Sequence, residues 1–187
     1  MIADVSGKGM PAALFMVISK TMIKERAKQG GSPAQILMDV NNSLHAENRS
    51  KVFVSVWLGI LTISTGVVVE ANAGHEHPAL KRGNGGFSLY VQRHGFVLGG
   101  RKGIKYREDE FTLEKGDVLF VYTDGIPEAN NSNGEFFGTG RMLEALNQKK
   151  DASPKEMLDF LWEEAGIYVG EAPQFDDFTM LALKFNG

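Results

Sequence analysis

Cysteine is absent from this 187-residue sequence. Its absence excludes a disulfide scaffold, a thiolate zinc site, an iron–sulfur centre and a cysteine nucleophile. A chain of this length is expected to bury roughly two-thirds of its unfolded surface, so it needs no disulfide or zinc for stability. The lack of cysteine is compatible with a reducing compartment, and we predict a cytoplasmic protein.

The sequence also lacks an excess of basic charge and a long apolar run. Lys and Arg number 20 against 23 Asp and Glu, which gives a formal net charge of -3, so we expect no nucleic-acid partner. The longest apolar stretch, 52–63, is shorter than the ~20 residues of a membrane span. Asp4 stands where a signal peptide would be basic. We therefore predict no membrane contact from this chain.

Hydrophobic spacing predicts helices near both ends of the chain. Ser32 with Gln35, and Ser153 with Glu156, match the capping-box pattern that begins a helix. The predicted helices are 11–28, 33–45, 140–146 and 154–165.

The middle of the chain and its last residues predict strands. The segment 52–61 is rich in β-branched and aromatic residues and predicts a strand buried on both faces, or nearly so. The other predicted strands are 67–71, 79–80, 87–92, 105–113, 118–122 and 178–185. This pattern predicts one α+β domain over residues 1–187, with sheets between two helical layers. Residues 4–9 are predicted to be a loop without room for a strand before it, so we expect a fragment that lacks its first strands.

Carboxylates stand beside the predicted strands. Asp4 precedes a glycine-rich loop, Asp124 comes directly after 118–122, and Asp176 and Asp177 precede 178–185. Carboxylate oxygens suit Mg²⁺ or Mn²⁺, and two such ions ~3.5–4 Å apart can activate water for attack on phosphorus. Asp is also common in turns and caps, and spacing alone does not show that these residues converge. Both interpretations stay open at this point.

Five segments carry a more specific signal. They are A-D-V-S-G-K-G-M-P-A-A-L at 3–14, A-N-A-G-H-E-H-P-A-L at 71–80, L-E-K-G-D-V-L-F-V-Y-T-D-G-I-P-E-A at 113–129, G-E-F-F-G at 134–138 and D-D-F-T-M-L-A-L at 176–183. In this order they resemble the SpoIIE/RsbU-type branch of the PP2C (PPM) metal-dependent serine/threonine phosphatases. The resemblance spans essentially the whole chain, and five motifs in register are far more specific than one.

The resemblance implies an αββα sandwich of two mainly antiparallel sheets and a two-metal site for Mn²⁺ or Mg²⁺. By motif position, Asp4 is expected to bridge both metals, and the backbone carbonyl of Val5 to bind one of them. Asp124 and Asp176 are expected to bind the first metal. Asp4, Asp124 and Asp176 are thus the predicted catalytic residues.

Other residues are expected to support this site without binding metal. Asp177 takes the place of an Asn in eukaryotic relatives, and Gly7 and Gly125 would shape the ligand loops. His75 and His77 are spaced like a pair of metal ligands, but we expect them to form hydrogen bonds in a loop.

Two positions depart from the family pattern. The G-D-x-x-D-like motif that precedes the Asp4 loop in the family is absent, and its Asp helps to hold the second metal. A fragment without it is expected to bind that metal poorly. Ser6 stands where eukaryotic relatives have a His that is a candidate general acid, so no general acid is assigned.

The implied activity is hydrolysis of phosphoserine or phosphothreonine on a protein by a metal-bridging water. In this branch the substrate is commonly an anti-anti-sigma (STAS-domain) protein of a partner-switching pathway. The resemblance also implies an upstream sensor domain that acts through the first two helices, whose apolar face could mediate a homodimer. The alternative is a catalytically silent phosphatase-like module for binding or dimerisation.

Overall fold

The computed structural model describes residues 1–48, 51–173 and 176–187. Within them the chain forms four α-helices and eight β-strands. The helices are α1 (Met10–Lys28), α2 (Pro33–Glu47), α3 (Gly138–Gln148) and α4 (Pro154–Val169). The strands are β1 (Ile2–Val5), β2 (Val54–Thr62), β3 (Val67–Ala73), β4 (Ala79–Lys81), β5 (Phe87–Leu89), β6 (Asp109–Thr112), β7 (Val118–Tyr122) and β8 (Met180–Lys184). In these parts of the chain no helix combines the length and apolarity that a membrane crossing requires.

Two compact units make up the chain, and each has its own sheet, helix pair and core. The first unit comprises Met1–His75 and Gln92–Thr112, and the second comprises Glu76–Val91 and Leu113–Gly187. The predicted fold class, α+β with two antiparallel sheets flanked by helices, is confirmed. The prediction of a single domain over residues 1–187 stays a prediction.

The first unit contains a four-stranded antiparallel sheet in the order β1-β2-β3-β6, with α1 and α2 packed on it. Helix α2 buries an apolar face at helical spacing against strands β2 and β3. The α2 residues of this face are Ile36, Leu37, Val40 and Leu44. The predicted burial of 52–61 on both faces holds only for the first part of β2, because Ile60 is exposed and Leu61 is half-buried.

Strand β1 corrects the prediction of a loop at residues 4–9. Ile2–Val5 pairs with β2, and Asp4 lies opposite Ser55. The backbone N–H of Ser6 donates a hydrogen bond to the carbonyl of Phe53 (2.8 Å), which extends this pairing by one residue. Because a neighbouring strand satisfies its backbone groups, a segment too short to be recognised from hydrophobic spacing forms a strand.

Helix caps are only partly as predicted. The capping box of α4 is confirmed, since Ser153 accepts from the backbone of Glu156 and the Glu156 side chain accepts from Ser153. At α2 the Ser32 hydroxyl accepts from the backbone of Gln35 (3.4 Å), but the Gln35 side chain instead donates to Asp39 (2.8 Å). The Asp39 carboxylate, one turn further along α2, thus replaces the Ser32 backbone N–H as the hydrogen-bond partner of the Gln35 side chain.

The second unit contains an antiparallel sheet in the order β5-β4-β7-β8, with α3 and α4 packed on it. Every residue of the central strand β7 is buried. Its alternate residues Val118, Phe120 and Tyr122 belong to the core shared with α3 and α4. The strands predicted at 87–92, 105–113 and 178–185 are shorter in the structure, at Phe87–Leu89, Asp109–Thr112 and Met180–Lys184.

Candidate active site

The pairing of β7 with β8 sets the positions of two predicted site residues in the second unit. Tyr122 lies opposite Met180, and the backbone N–H of Thr123 donates to the carbonyl of Thr179 (3.0 Å). Asp124 therefore leaves β7 at the same end of the sheet at which Asp176 approaches β8. Residues 52 positions apart in sequence meet because the two strands are antiparallel neighbours.

Two further contacts hold these strand ends together. The Thr123 hydroxyl donates to the carbonyl of Asp177 (3.2 Å) and accepts from the N–H of Thr179 (3.2 Å). Gly125 packs directly against the backbone of Asp177, where a Cβ would overlap the Asp177 carbonyl oxygen. Only glycine allows the two backbones to approach this closely. The role of Gly125 in shaping a ligand loop stays a prediction.

Negative charge is concentrated at this end of the sheet. Burial raises the pKa of the Asp124 carboxyl, and the nearby Asp176 raises it further. The pKa of Glu128 is raised too, first by desolvation and then by Asp124 and Asp176. Carboxylates that disfavour one another's ionisation gain from a cation between them, so this group suits a divalent metal.

Glu128 is the residue that the sequence analysis missed. Its backbone N–H donates to the Asp124 carbonyl (2.8 Å), which forms a single turn after β7. Residues four positions apart in such a turn lie on the same side. The spacing of Asp124 and Glu128 was therefore the available signal, although it is far less specific than the aspartates next to the strands.

Asp176 and Asp177 have different surroundings. A carboxylate oxygen of Asp176 accepts from the backbone N–H of Asp177 (2.9 Å), which orients the Asp176 side chain. Asp176 is half-buried and Asp177 is exposed. Asp177 contacts Thr123 and Gly125 through its backbone. Its supporting role at the site stays a prediction.

Asp4 and Val5 belong to the first unit, at the end of β1, and both are half-buried. The Ser6 hydroxyl accepts a hydrogen bond from the backbone N–H of Phe53 (2.9 Å). Ser6, at the position where eukaryotic relatives have a candidate general acid, thus links β1 to the segment before β2. Gly7 follows with a φ of 82°, a left-handed conformation that favours glycine and turns the chain toward α1. The role of Asp4 and Val5 as metal ligands stays a prediction.

His75 is buried, and its ring nitrogen Nδ1 lies 2.8 Å from the Ser55 hydroxyl. Its backbone N–H donates to the Asn72 side chain (2.7 Å), whose amide donates back to the His75 carbonyl (3.0 Å). These bonds agree with the loop role predicted for His75. His77 is half-buried.

The donor chemistry fits a divalent cation, but the described residues contain only part of a ligand set. In residues 1–48, 51–173 and 176–187, no group of three or more His, Asp or Glu side chains is arranged to hold a metal ion. Asp176 is close enough to Asp124 to raise the pKa of the Asp124 carboxyl. The complete ligand set therefore stays a prediction.

Solved structures with a similar fold cover nearly all of the chain. The SiaA-PP2C domain of Pseudomonas aeruginosa matches 98% of this chain and 74% of its own, with a TM-score of 0.84 and 22% identity. The RsbU and RsbW domains of Rv1364c from Mycobacterium tuberculosis match 97% of this chain and 51% of their own, with a TM-score of 0.78 and 23% identity. The serine/threonine phosphatase PstP, solved with two manganese ions, matches 96% and 84% with a TM-score of 0.65 and 14% identity. The chain therefore has the fold of PP2C phosphatase domains.

Sequence comparison assigns the chain to a family within the PP2C class. The sequence model of the family described as Stage II sporulation protein E (SpoIIE) matches residues 1–186, and the chain belongs to that family. It is 27% identical over 184 residues to the phosphoserine phosphatase RsbU of Bacillus subtilis, which covers 98% of this chain and 54% of RsbU. It is 26% identical over 213 residues to Protein IcfG of Synechocystis, which covers 100% of this chain and 33% of IcfG. The chain thus spans about a third to a half of these relatives, and the predicted resemblance is confirmed.

Proposed function

We propose that this chain is a metal-dependent phosphatase domain that hydrolyses phosphoserine or phosphothreonine on a protein. The observation that carries the proposal is the acidic end of the β7–β8 pair, where burial and the nearby Asp176 raise the pKa of Asp124. In this proposal Asp4 and the Val5 carbonyl complete the ligand set. Two Mn²⁺ or Mg²⁺ ions bound there would supply the Lewis acid that activates water and stabilises charge on the phosphoryl group.

The chain's own residues would position and support that chemistry. Asp124 and Asp176 would hold the cations at the end of the sheet, and Glu128 would add negative charge beside them. Thr123 and Gly125 would hold the two ligand-bearing segments at a constant distance through Asp177. Site geometry held by backbone contacts favours catalysis because little reorganisation is needed during the reaction.

We propose a STAS-domain anti-anti-sigma protein as the substrate and an upstream sensor domain as the regulator. The support is the similarity to RsbU, a phosphoserine phosphatase of which this chain spans 54%. The proposed pathway is a partner switch in which removal of phosphate changes which protein the substrate binds. We keep the cytoplasmic location as part of the same proposal.

A homodimer through α1 is the second part of the partner proposal. Three α1 side chains four residues apart, Met10, Leu14 and Ile18, are 77%, 58% and 48% exposed. An exposed apolar stripe at helical spacing is typical of an interaction surface. Ile23 and Met16, also on α1, are not part of this stripe, because Ile23 is in the core and Met16 packs against it.

A catalytically silent binding module is the alternative. It is favoured by the incomplete ligand set of the described residues. Such a module would bind a phosphoprotein without turnover and without a requirement for metal.

Hydrolysis of p-nitrophenyl phosphate with and without Mn²⁺ separates the two functions. We expect Mn²⁺-dependent turnover that falls about a hundredfold or more in Asp124→Asn, because the substitution removes a proposed metal ligand. A hundredfold loss corresponds to about 2.8 kcal/mol of transition-state stabilisation. Asp159→Asn, an exposed aspartate on α4, is the matched control and should retain activity. Metal-independent binding of a phosphoprotein without turnover would support the silent module instead.

A further inference from the structure

A neutral cavity of about 250 Å³ lies in the second unit, beside α4. Among the described residues that line it, none carries a charge. Trp162 and Phe178 form an aromatic wall, with ring centroids 5.3 Å apart in an edge-to-face arrangement. Gly166 and Gly170 line the helix side. The composition of the lining suits an apolar group.

This cavity adjoins the acidic end of the β7–β8 pair. Phe178, which lines it, is two residues after Asp176, so their Cα atoms are at most about 7 Å apart. Ala129, also in the lining, directly follows Glu128. A phosphoryl group held near Asp124 and Asp176 would thus place the flanking residues of its protein within reach of the cavity.

The space beside α4 is open because Gly166 has no side chain. A Cβ at Gly166 would meet no atom within 4 Å. Glycine in a helix interior is unfavourable relative to alanine, and packing against a neighbour does not require it here. Trp162 lies one turn earlier on the same helix and is 53% exposed, so a large aromatic surface borders the open space. Half-exposed tryptophans are enriched at binding surfaces.

We infer that this cavity binds one apolar side chain of the phosphoprotein substrate, two or three residues from the phosphorylated Ser or Thr. The inference rests on the proposed phosphatase function. An extended peptide advances about 3.3 Å per residue and its alternate side chains share a side, which matches the short separation between Asp176 and Phe178. At about 250 Å³ the cavity is smaller than typical small-molecule pockets and fits a single side chain.

Gly166→Leu is the direct test, because it adds a large side chain to the cavity lining at a position where a Cβ meets no atom within 4 Å. Leucine also has a higher helix propensity than glycine. Gly140→Leu is the matched control, since Gly140 is a glycine in α3 with equally open space and lies outside the cavity. The probes are alanine-based phosphoserine peptides in which a single leucine is moved through the flanking positions. Binding is followed by the fluorescence of Trp162, with Trp162→Phe to identify its signal against the buried Trp57.

We expect one leucine position to bind at least about tenfold more tightly than the all-alanine peptide, as burial of one leucine side chain predicts. Gly166→Leu should abolish this advantage, and Gly140→Leu should retain it. The inference would be overturned if Gly166→Leu preferred the leucine peptide as strongly as the unmodified chain does. It would also be overturned if the unmodified chain preferred leucine at no position.

Turnover of p-nitrophenyl phosphate separates this inference from the proposed function. p-Nitrophenyl phosphate has no flanking peptide residues, so Gly166→Leu should hydrolyse it within about twofold of the unmodified chain. If the aryl phosphate is hydrolysed normally and no leucine preference exists, the cavity inference fails alone. If Mn²⁺ supports no hydrolysis in the unmodified chain, the proposed function fails, and the peptide titration then decides the cavity inference separately.

Discussion

The hydroxyl of Thr123 donates a hydrogen bond to the backbone carbonyl of Asp177 over 3.2 Å. The same oxygen accepts from the N–H of Thr179, so one buried side chain links the end of β7 to the segment that enters β8. Asp124 and Asp176 are each next to a residue of this link. We therefore expect the relative position of the two carboxylates to depend on the Thr123 side chain.

Replacement of Thr123 by Val keeps the shape of the side chain and removes both hydrogen bonds. We expect a loss of about 1–3 kcal/mol in the free energy of unfolding, because each of the two lost hydrogen bonds usually contributes about 0.5–1.5 kcal/mol. We also expect weaker Mn²⁺ binding. Thr123→Ser retains the hydroxyl and should restore both properties. Urea unfolding and calorimetric Mn²⁺ titration would measure them, and unchanged Mn²⁺ affinity in Thr123→Val would show that the link does not position the carboxylates.

Gly125 tests the close approach of the two backbones. In Gly125→Ala the added methyl group would overlap the Asp177 carbonyl, so the segments must separate. We expect destabilisation of about 1–3 kcal/mol, as for other overpacked sites, and a large loss of Mn²⁺-dependent hydrolysis. Gly140→Ala, at a helical glycine with open space, is the control and should be neutral or stabilising. Full activity in Gly125→Ala would contradict the positioning role.

Glu70 makes the stability of the chain depend on pH. Burial on β3, together with Asp109 opposite on β6, raises the pKa of Glu70 to about 7. A carboxyl whose pKa is higher in the folded than in the unfolded state stabilises the fold at low pH. This contribution is complete below the unfolded value of about 4.5 and is lost as the pH rises through about 7.

Glu70→Gln should therefore be more stable than the unmodified chain at pH values above 7, by on the order of 3 kcal/mol at most. The difference should shrink as the pH falls toward 5. Urea unfolding across this range measures it, with Glu110→Gln, an exposed neighbour on β6, as control. A difference that is the same at all pH values would mean that Glu70 does not titrate in this window.

The apolar face of α1 predicts self-association. Leu14→Glu would place a charge in the middle of the stripe formed by Met10, Leu14 and Ile18, and should convert a dimer to a monomer. Ile63→Glu alters an equally apolar and more exposed position (76%) outside α1, so it should leave the dimer intact. Light scattering after size-exclusion chromatography gives the mass, and a monomeric unmodified chain at high concentration would rule the proposed dimer out.

The amino-acid sequence predicted the local elements well, because helix spacing and buried apolar runs are local signals. The run 118–122 predicted β7, and Asp124 lies two residues after its end. Pairing between β7 and β8 was not predictable from spacing, since the strands are far apart in sequence. For the same reason β1, which is stabilised by β2, was assigned to a loop. Glu128 and the cavity beside Trp162 depend on contacts between distant segments, which no short motif encodes.

Calorimetric titration of Mn²⁺ into the unmodified chain and into Asp4→Asn tests the central claim most directly. If Asp4 joins Asp124 and Asp176 as a ligand, the unmodified chain binds Mn²⁺ and the variant binds it at least about tenfold more weakly, because a carboxylate oxygen is lost from the coordination sphere. Asp159→Asn controls for the loss of one negative charge elsewhere. Equal Mn²⁺ affinity in Asp4→Asn and the unmodified chain, or no binding at millimolar Mn²⁺ in either, would contradict the proposed metal site.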